Sequence, residues 1–119
     1  MLILETATLT ITVIEDRIFH LFIKDFCSVT YSDMNDVFVG VSSYCSKNYN
    51  IKYGMLLIEL GHGANIEQDA REFTATKKAN KFTRGSAILV KNASQKLLGE
   101  YYIRFNRPVY TNKVFLQET

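Results

Sequence analysis

The run Gly54-Met-Leu-Leu-Ile-Glu-Leu60 constrains this chain more than any other feature. It is almost wholly apolar and is closed by glycines at 54 and 61. That length suits a strand and is too short for an ordinary helix, and a continuous apolar strand marks the interior of a parallel sheet. Parallel neighbours need crossovers of about a dozen residues or more, usually helical. Helices are therefore expected before and after the run.

The patterning supplies them. Thr8-Leu-Thr-Ile-Thr-Val-Ile14 alternates threonine with large aliphatics, the period of a half-buried strand. Glu15-Asp16-Arg17 makes a polar turn, and Ile18-Phe-His-Leu-Phe-Ile23 completes a hairpin. His20 then faces away from Phe19 and Leu21, as a surface or sheet-packing histidine. Thr30-Tyr-Ser-Asp33 has the form of a capping box. Tyr31, Met34, Phe38, Val41 and Cys45 follow at helical spacing, ending at Asn48-Tyr49-Asn50. After the apolar run, Asn65 with Gln68 three residues later is expected to cap a helix on Ile66, Ala70 and Phe73. Thr76 restarts a turn through Ala79 and Phe82, so 65–83 is one bent helix or two short ones. Ser86-Ala-Ile-Leu-Val90 is the next strand. Ser94 caps a helix with Leu97, Leu98, Tyr101 and Phe105 on one face, broken at Asn106-Arg107-Pro108. Lys113-Val-Phe-Leu116 closes as a strand. The order β-β-α-β-α-β-α-β predicts an α/β fold: a mixed, mostly parallel sheet with an N-terminal hairpin and helices packed against it.

With 119 residues, one proline and six glycines, there is material for one hydrophobic core and little for a linker, so residues 1–119 are read as a single domain. The net charge of +2 conceals an asymmetry. Residues 1–73 carry 5 Lys/Arg against 10 Asp/Glu, whereas residues 74–107 carry 8 against Glu100 alone. The basic segment matches no aromatic-studded nucleic-acid-binding motif, so solvated helix faces are expected there and nucleic acid is not expected as a partner. Cys27 and Cys45 form no C-x-x-C and have only His20 and His62 to join them, which is too few ligands for structural zinc. No cofactor is implied. Both thiols read as small core residues in a reducing compartment. Met1-Leu-Ile-Leu-Glu5 lacks the basic start of a signal peptide, and no apolar run approaches the roughly 20 residues that span a bilayer. A cytoplasmic protein without a membrane span is expected, with Asn92-Ala-Ser94 as a helix start and not a glycosylation site.

The candidate site is the loop after the apolar run, Gly61-His62-Gly63-Ala64-Asn65. Loops at the carboxyl ends of parallel strands collect ligands, and free N–H groups at a following helix start favour anions. Gly61 and Gly63 permit close backbone approach, His62 brings the loop's one imidazole, and Asn65 caps the helix. Arg71 reaches back one turn, and together with Arg84 it is expected to clamp a carboxylate or phosphate. Glu59, charged within an apolar strand, is expected to pair with Arg71 or Arg84. The loop fails both the G-x-G-x-x-G and P-loop patterns, and no catalytic triad or zinc-protease motif is present, so an enzyme is not expected.

The succession of a hairpin, a buried strand running into a loop and helix (Leu56 to Gly63), Ala70-Arg-Glu72, Ala87 to Val90, Ser94 to Phe105 and Lys113 to Leu116 resembles the STAS domains of the anti-sigma-factor-antagonist (SpoIIAA-like) type. The likeness covers nearly the whole chain and is similar in particular to a small bacterial STAS-like group. It implies a regulatory or protein-interaction module, paired with a protein partner or with itself as a homodimer. Such antagonists present a phosphorylatable Ser or Thr in the loop after the central strand; residues 61–67 hold none, and the nearest downstream hydroxyl is Thr74. The resemblance also implies a final helix, which would begin at Gln117-Glu-Thr119; either the chain is truncated there or another surface covers the face that helix would occupy. An alternative reading is a carrier or sensor of a small anionic or lipid-like ligand, held against the sheet beneath 65–83 and 94–105. Tyr102 and Ile103, off the core stripe, motivate it.

Overall fold

Gly54–Leu60 lies within a sheet that has six strands among the described residues. The computed structural model describes residues 1–15, 17–50, 54–76, 83–97, 100 and 112–116, with backbone alone for 83–86 and 112–116. The elements are β1 (Leu2–Glu5), β2 (Leu9–Glu15), β3 (Ile18–Ile23), β4 (Ser28–Val29), α1 (Tyr31–Tyr49), β5 (Gly54–Leu60), β6 (Asn65–Ile66), α2 (Gln68–Thr74), β7 (Thr83–Val90) and β8 (Asn112–Leu116). Residues 93–97 are helical. The strand order is β1-β2-β3-β5-β7-β8, with antiparallel pairing from β1 to β3 and parallel pairing from β3 to β8. The fold is thus the expected α/β arrangement, a mixed and mostly parallel sheet.

Each crossover steps the same way along the sheet, so crossovers of one hand place their helices on one face. The core lies there. Leu9, Ile11, Phe19, Leu21, Ile23, Leu56, Ile58, Leu60, Ile88 and Val90 point to it from the strands, and Met34, Val37, Phe38, Val41 and Cys45 meet them from α1. The other face carries Thr10, Thr12, His20, Met55 and Glu59, all half-buried or exposed. The apolar run is therefore buried on one face only, and Met55 on its other face is 51% exposed. Its burial alternates because, among the described residues, the helices cover one face of the sheet.

α1 begins with the expected capping box: Thr30 N–H donates to Asp33 Oδ2 at 3.0 Å, and Asp33 N–H donates to Thr30 Oγ1 at 3.3 Å. It ends at Asn50, whose left-handed backbone (φ 56°) stops the helix. Three expectations need correction. β1 is a further strand, paired outside the hairpin through a bulge between Leu2 and Leu4. The helix expected from Asn65 begins at Gln68; Asn65 and Ile66 pair instead with Ser28 and Val29 in a two-stranded parallel ladder, and the N-cap is Glu67, with no side-chain bond. The cap of the helical segment 93–97 is Asn92, whose Oδ1 accepts the Gln95 N–H at 2.9 Å, and not Ser94. Asn wins because its carboxamide reaches the free N–H three residues on. The expected turn through Ala79 and Phe82, and, Glu100 apart, the helix and break from Leu98 to Pro108 with Tyr102 and Ile103, lie outside the described residues.

Both cysteines are free, Cys45 buried in the core and Cys27 half-buried. Burial pushes the Cys45 thiol above its ordinary value, against a smaller opposing effect of Arg17. Among the described residues no helix is long and apolar enough to cross a membrane.

Candidate functional site

β3 and β5 run parallel, so the loops leaving them, residues 24–27 and 61–64, emerge side by side at the carboxyl end of the sheet. They are laced together by backbone. Gly61 N–H donates to Ile23 O (2.9 Å), Phe26 N–H to His62 O (2.7 Å) and Asn65 N–H to Cys27 O (3.0 Å). Asp25 Oδ1 accepts the His62 N–H at 2.9 Å. Ala64 N–H closes a turn on Gly61 O at 3.2 Å. At Gly61 a side chain would collide with Asp25 and with the Ile23 carbonyl, so glycine is required for this approach.

Gln95 anchors the loop from beneath. It is 6% exposed; its Nε2 donates to Gly61 O (2.9 Å) and Ala64 O (3.1 Å), while its Oε1 accepts the Lys91 N–H (2.8 Å). A buried carboxamide with three satisfied bonds rigidifies what it touches. Nothing in the sequence marks Gln95, because its acceptors lie more than thirty residues away.

On this braced ridge stands Phe26. The residue is 82% exposed and its backbone is left-handed, with φ of 60°. Gly63, itself at φ 65°, lies under the ring, and a Cβ there would meet Phe26 Cδ1 at 2.6 Å. His62, Gly63 and Asp25, on the same two loops, are exposed. No sequence signal points to Phe26, since aromatic residues rarely adopt positive φ.

The structure gathers Gly61, His62, Gly63 and Asn65 on the ridge but separates the arginines. Arg71 is half-buried and donates from Nη1 to Ile66 O, bracing the backbone just beyond the loop. Arg84 is the second residue of β7, at the amino end of the sheet. At the rise of an extended chain its backbone lies roughly 20 Å from the loop. The two therefore do not converge into a clamp. The N–H groups of Gly61, His62, Ala64 and Asn65 are all engaged within the protein. Thr74, the nearest downstream hydroxyl in sequence, sits at the far end of α2, donating to Arg71 O at 2.9 Å. In space a hydroxyl stands closer: exposed Ser28 is the ladder partner of Asn65.

Glu59 takes partners other than the expected Arg71. On the open face of the sheet its Oε1 accepts from His20 Nε2 at 2.9 Å and its Oε2 from Lys91 Nζ at 2.8 Å. The bonded Lys91 ammonium holds the Glu59 carboxyl below its ordinary value; partial burial opposes this and His20 reinforces it. A carboxylate kept ionised in this way is a poor proton donor.

A family model described as a domain of unknown function (DUF7793) matches residues 12–119. The chain belongs to that family. The DUF7793 chain is also similar in structure to an uncharacterized protein of the DUF3478 family from Shewanella loihica PV-4, whose crystal structure has a SpoIIAA-like fold. The TM-score is 0.52 at 19% identity, over 90% of this chain and 83% of that one. At that identity the likeness speaks for the fold: the DUF7793 chain is SpoIIAA-like, as the resemblance to STAS domains implies. No curated protein matches the chain in sequence.

Proposed function

We propose that the chain is a non-catalytic protein-interaction module whose contact surface is the ridge of Phe26, His62 and Gly63. The observation that carries this reading is Phe26. A residue 82% exposed adds little to the core. Its left-handed backbone nonetheless costs about 1 kcal/mol relative to an ordinary conformation. Burial of the ring in a partner's pocket would contribute about 2 kcal/mol, more than offsetting that strain. Four of the five N–H groups over residues 61–65 are engaged within the protein, which favours a protein surface over a small anion, since a free anion needs several open donors. Exposed Asp25, next to Phe26 in the chain and bonded to the His62 N–H, asks for a partner whose apolar socket has a basic rim on that side. A second copy of the chain would be one such partner only if its own surface met that description.

The test places a photo-crosslinking benzoylphenylalanine at position 26, with a second variant carrying it at exposed Ser46 as the control, in cells of the source organism. A discrete cross-linked species seen at position 26 and absent at position 46 is expected. Its mass separates a foreign partner from a second copy. Equal labelling at both positions, or none at 26, would overturn the reading.

A further inference from the structure

Between the edge strand β1 and helix α1 runs a groove of about 410 Å³ that the Phe26 ridge does not touch. Three features of the chain build it. The bulge between Leu2 and Leu4 breaks the alternation of β1, and both Ile3 and Leu4 line the groove. On the helix side, Asp36, Val39, Gly40, Ser43 and Lys47 fall at three- and four-residue spacing and form a second stripe, distinct from the buried one. At its centre is Gly40, the tenth of the nineteen residues of α1.

Gly40 has no reason internal to the fold. Glycine is a poorer residue than alanine inside a helix. It is normally tolerated where a side chain would collide, yet a Cβ at Gly40 would meet nothing within 4 Å. What the missing side chain leaves open is the floor of the groove.

The rim has a polarity. Asp36 and Lys47 are eleven residues apart, close to three whole turns, so they lie in line along the helix about 16 Å apart. Both are exposed, and neither forms an ion pair or side-chain hydrogen bond among the described residues. Five residues of extended chain also span about 16 Å. β1 runs parallel to β3, and α1 returns from the end of β3 to the start of β5, so the helix runs antiparallel to β1. A segment with its acidic end at Lys47 would thus run antiparallel to β1, whose outer edge pairs with no strand among the described residues.

We propose that this groove binds an extended segment of a partner protein, added antiparallel to β1, with a basic or amino end at Asp36, an acidic or carboxylate end at Lys47 and an apolar side chain over Gly40. The inference is independent of the Phe26 ridge.

The test titrates two mixtures of hexapeptides into the isotopically labelled full chain and follows its amide resonances. The first set begins with lysine, ends with glutamate and carries valine, isoleucine, leucine or threonine between. The second exchanges the two end charges and has capped termini. Saturable shifts in Leu2 to Glu5 and in Asp36 to Lys47 are expected, with about ten-fold tighter binding of the first set. The double variant Asp36→Lys/Lys47→Glu reverses that preference. Gly40→Leu, which fills the floor, abolishes binding while raising the thermal midpoint by about 4 °C. Equal binding of the two sets, no shifts in β1 and α1, or unchanged binding by Gly40→Leu overturns the proposal. Concentration-dependent dimerisation that Gly40→Leu abolishes also overturns it, by giving the groove to a second copy.

Discussion

Glu59 has apolar neighbours on both sides in its strand and is tolerated because two donors meet its two oxygens, the His20 imidazole from β3 and the Lys91 ammonium from just past β7. Its carboxyl is held below the ordinary value, so the sign of the pH effect follows. The cluster stabilises fully above the unfolded-state value of about 4.3 and loses that contribution as pH falls through the lower folded value. We expect Glu59→Gln to cost about 1–2 kcal/mol at pH 7 and to flatten the fall of stability below pH ~5. Urea denaturation from pH 7 to pH 3 checks both effects. Equal pH profiles for the variant and the parent would remove Glu59 as their cause. That a glutamate at this position needs partners was legible from its neighbours in sequence. Which partners was not, because pairing across strands depends on register, and register placed His20 and Lys91 beside it where sequence spacing suggested an arginine.

At the scale of elements, what could be read depended on length and locality. β2, β3, β5 and α1 repeat their period over six or more residues, and the capping box of α1 is a local four-residue pattern, so each was legible. β1 has four residues and β4 and β6 two each, too few for a period to show. Their pairing is set by the loops that bring them together. The start of the helical segment 93–97 was misplaced by two residues because Asn92 and Ser94 are equally good caps in isolation. Burial of Gln95 decides between them, since Gln95 N–H must find the Asn92 oxygen while its side chain holds the loop 61–64. Accordingly Asn92→Ala should lower stability by about 1 kcal/mol and Ser94→Ala by less than about 0.5 kcal/mol, as read from chemical denaturation midpoints. The ridge was half legible for the same reason. The glycines and His62 could be singled out from the loop's place after β5, whereas Phe26 and Gln95 acquire their roles only through tertiary contacts.

For the whole molecule, the decisive property is that the sheet has helices on one face. Among the described residues the constant direction of the crossovers leaves the second face to residues such as Thr10, Thr12, His20, Met55 and Glu59. The consequence is measurable in adjacent residues: Leu56→Ala should cost about 2–4 kcal/mol and Met55→Ala less than about 1 kcal/mol by urea denaturation. A comparable loss at both positions would mean that the second face is covered. The SpoIIAA-like frame thus places its described apolar residues in one core and presents Phe26, the most exposed aromatic residue among those described, at the carboxyl end of the strands. The central claim is that Phe26 serves contact and not folding, and Phe26→Gly tests it most directly, because glycine adopts the left-handed backbone without strain. Denaturant unfolding should show the variant as stable as the parent or more stable, by up to about 1 kcal/mol. A loss of more than about 1 kcal/mol would show that the ring holds the fold together and would contradict the account.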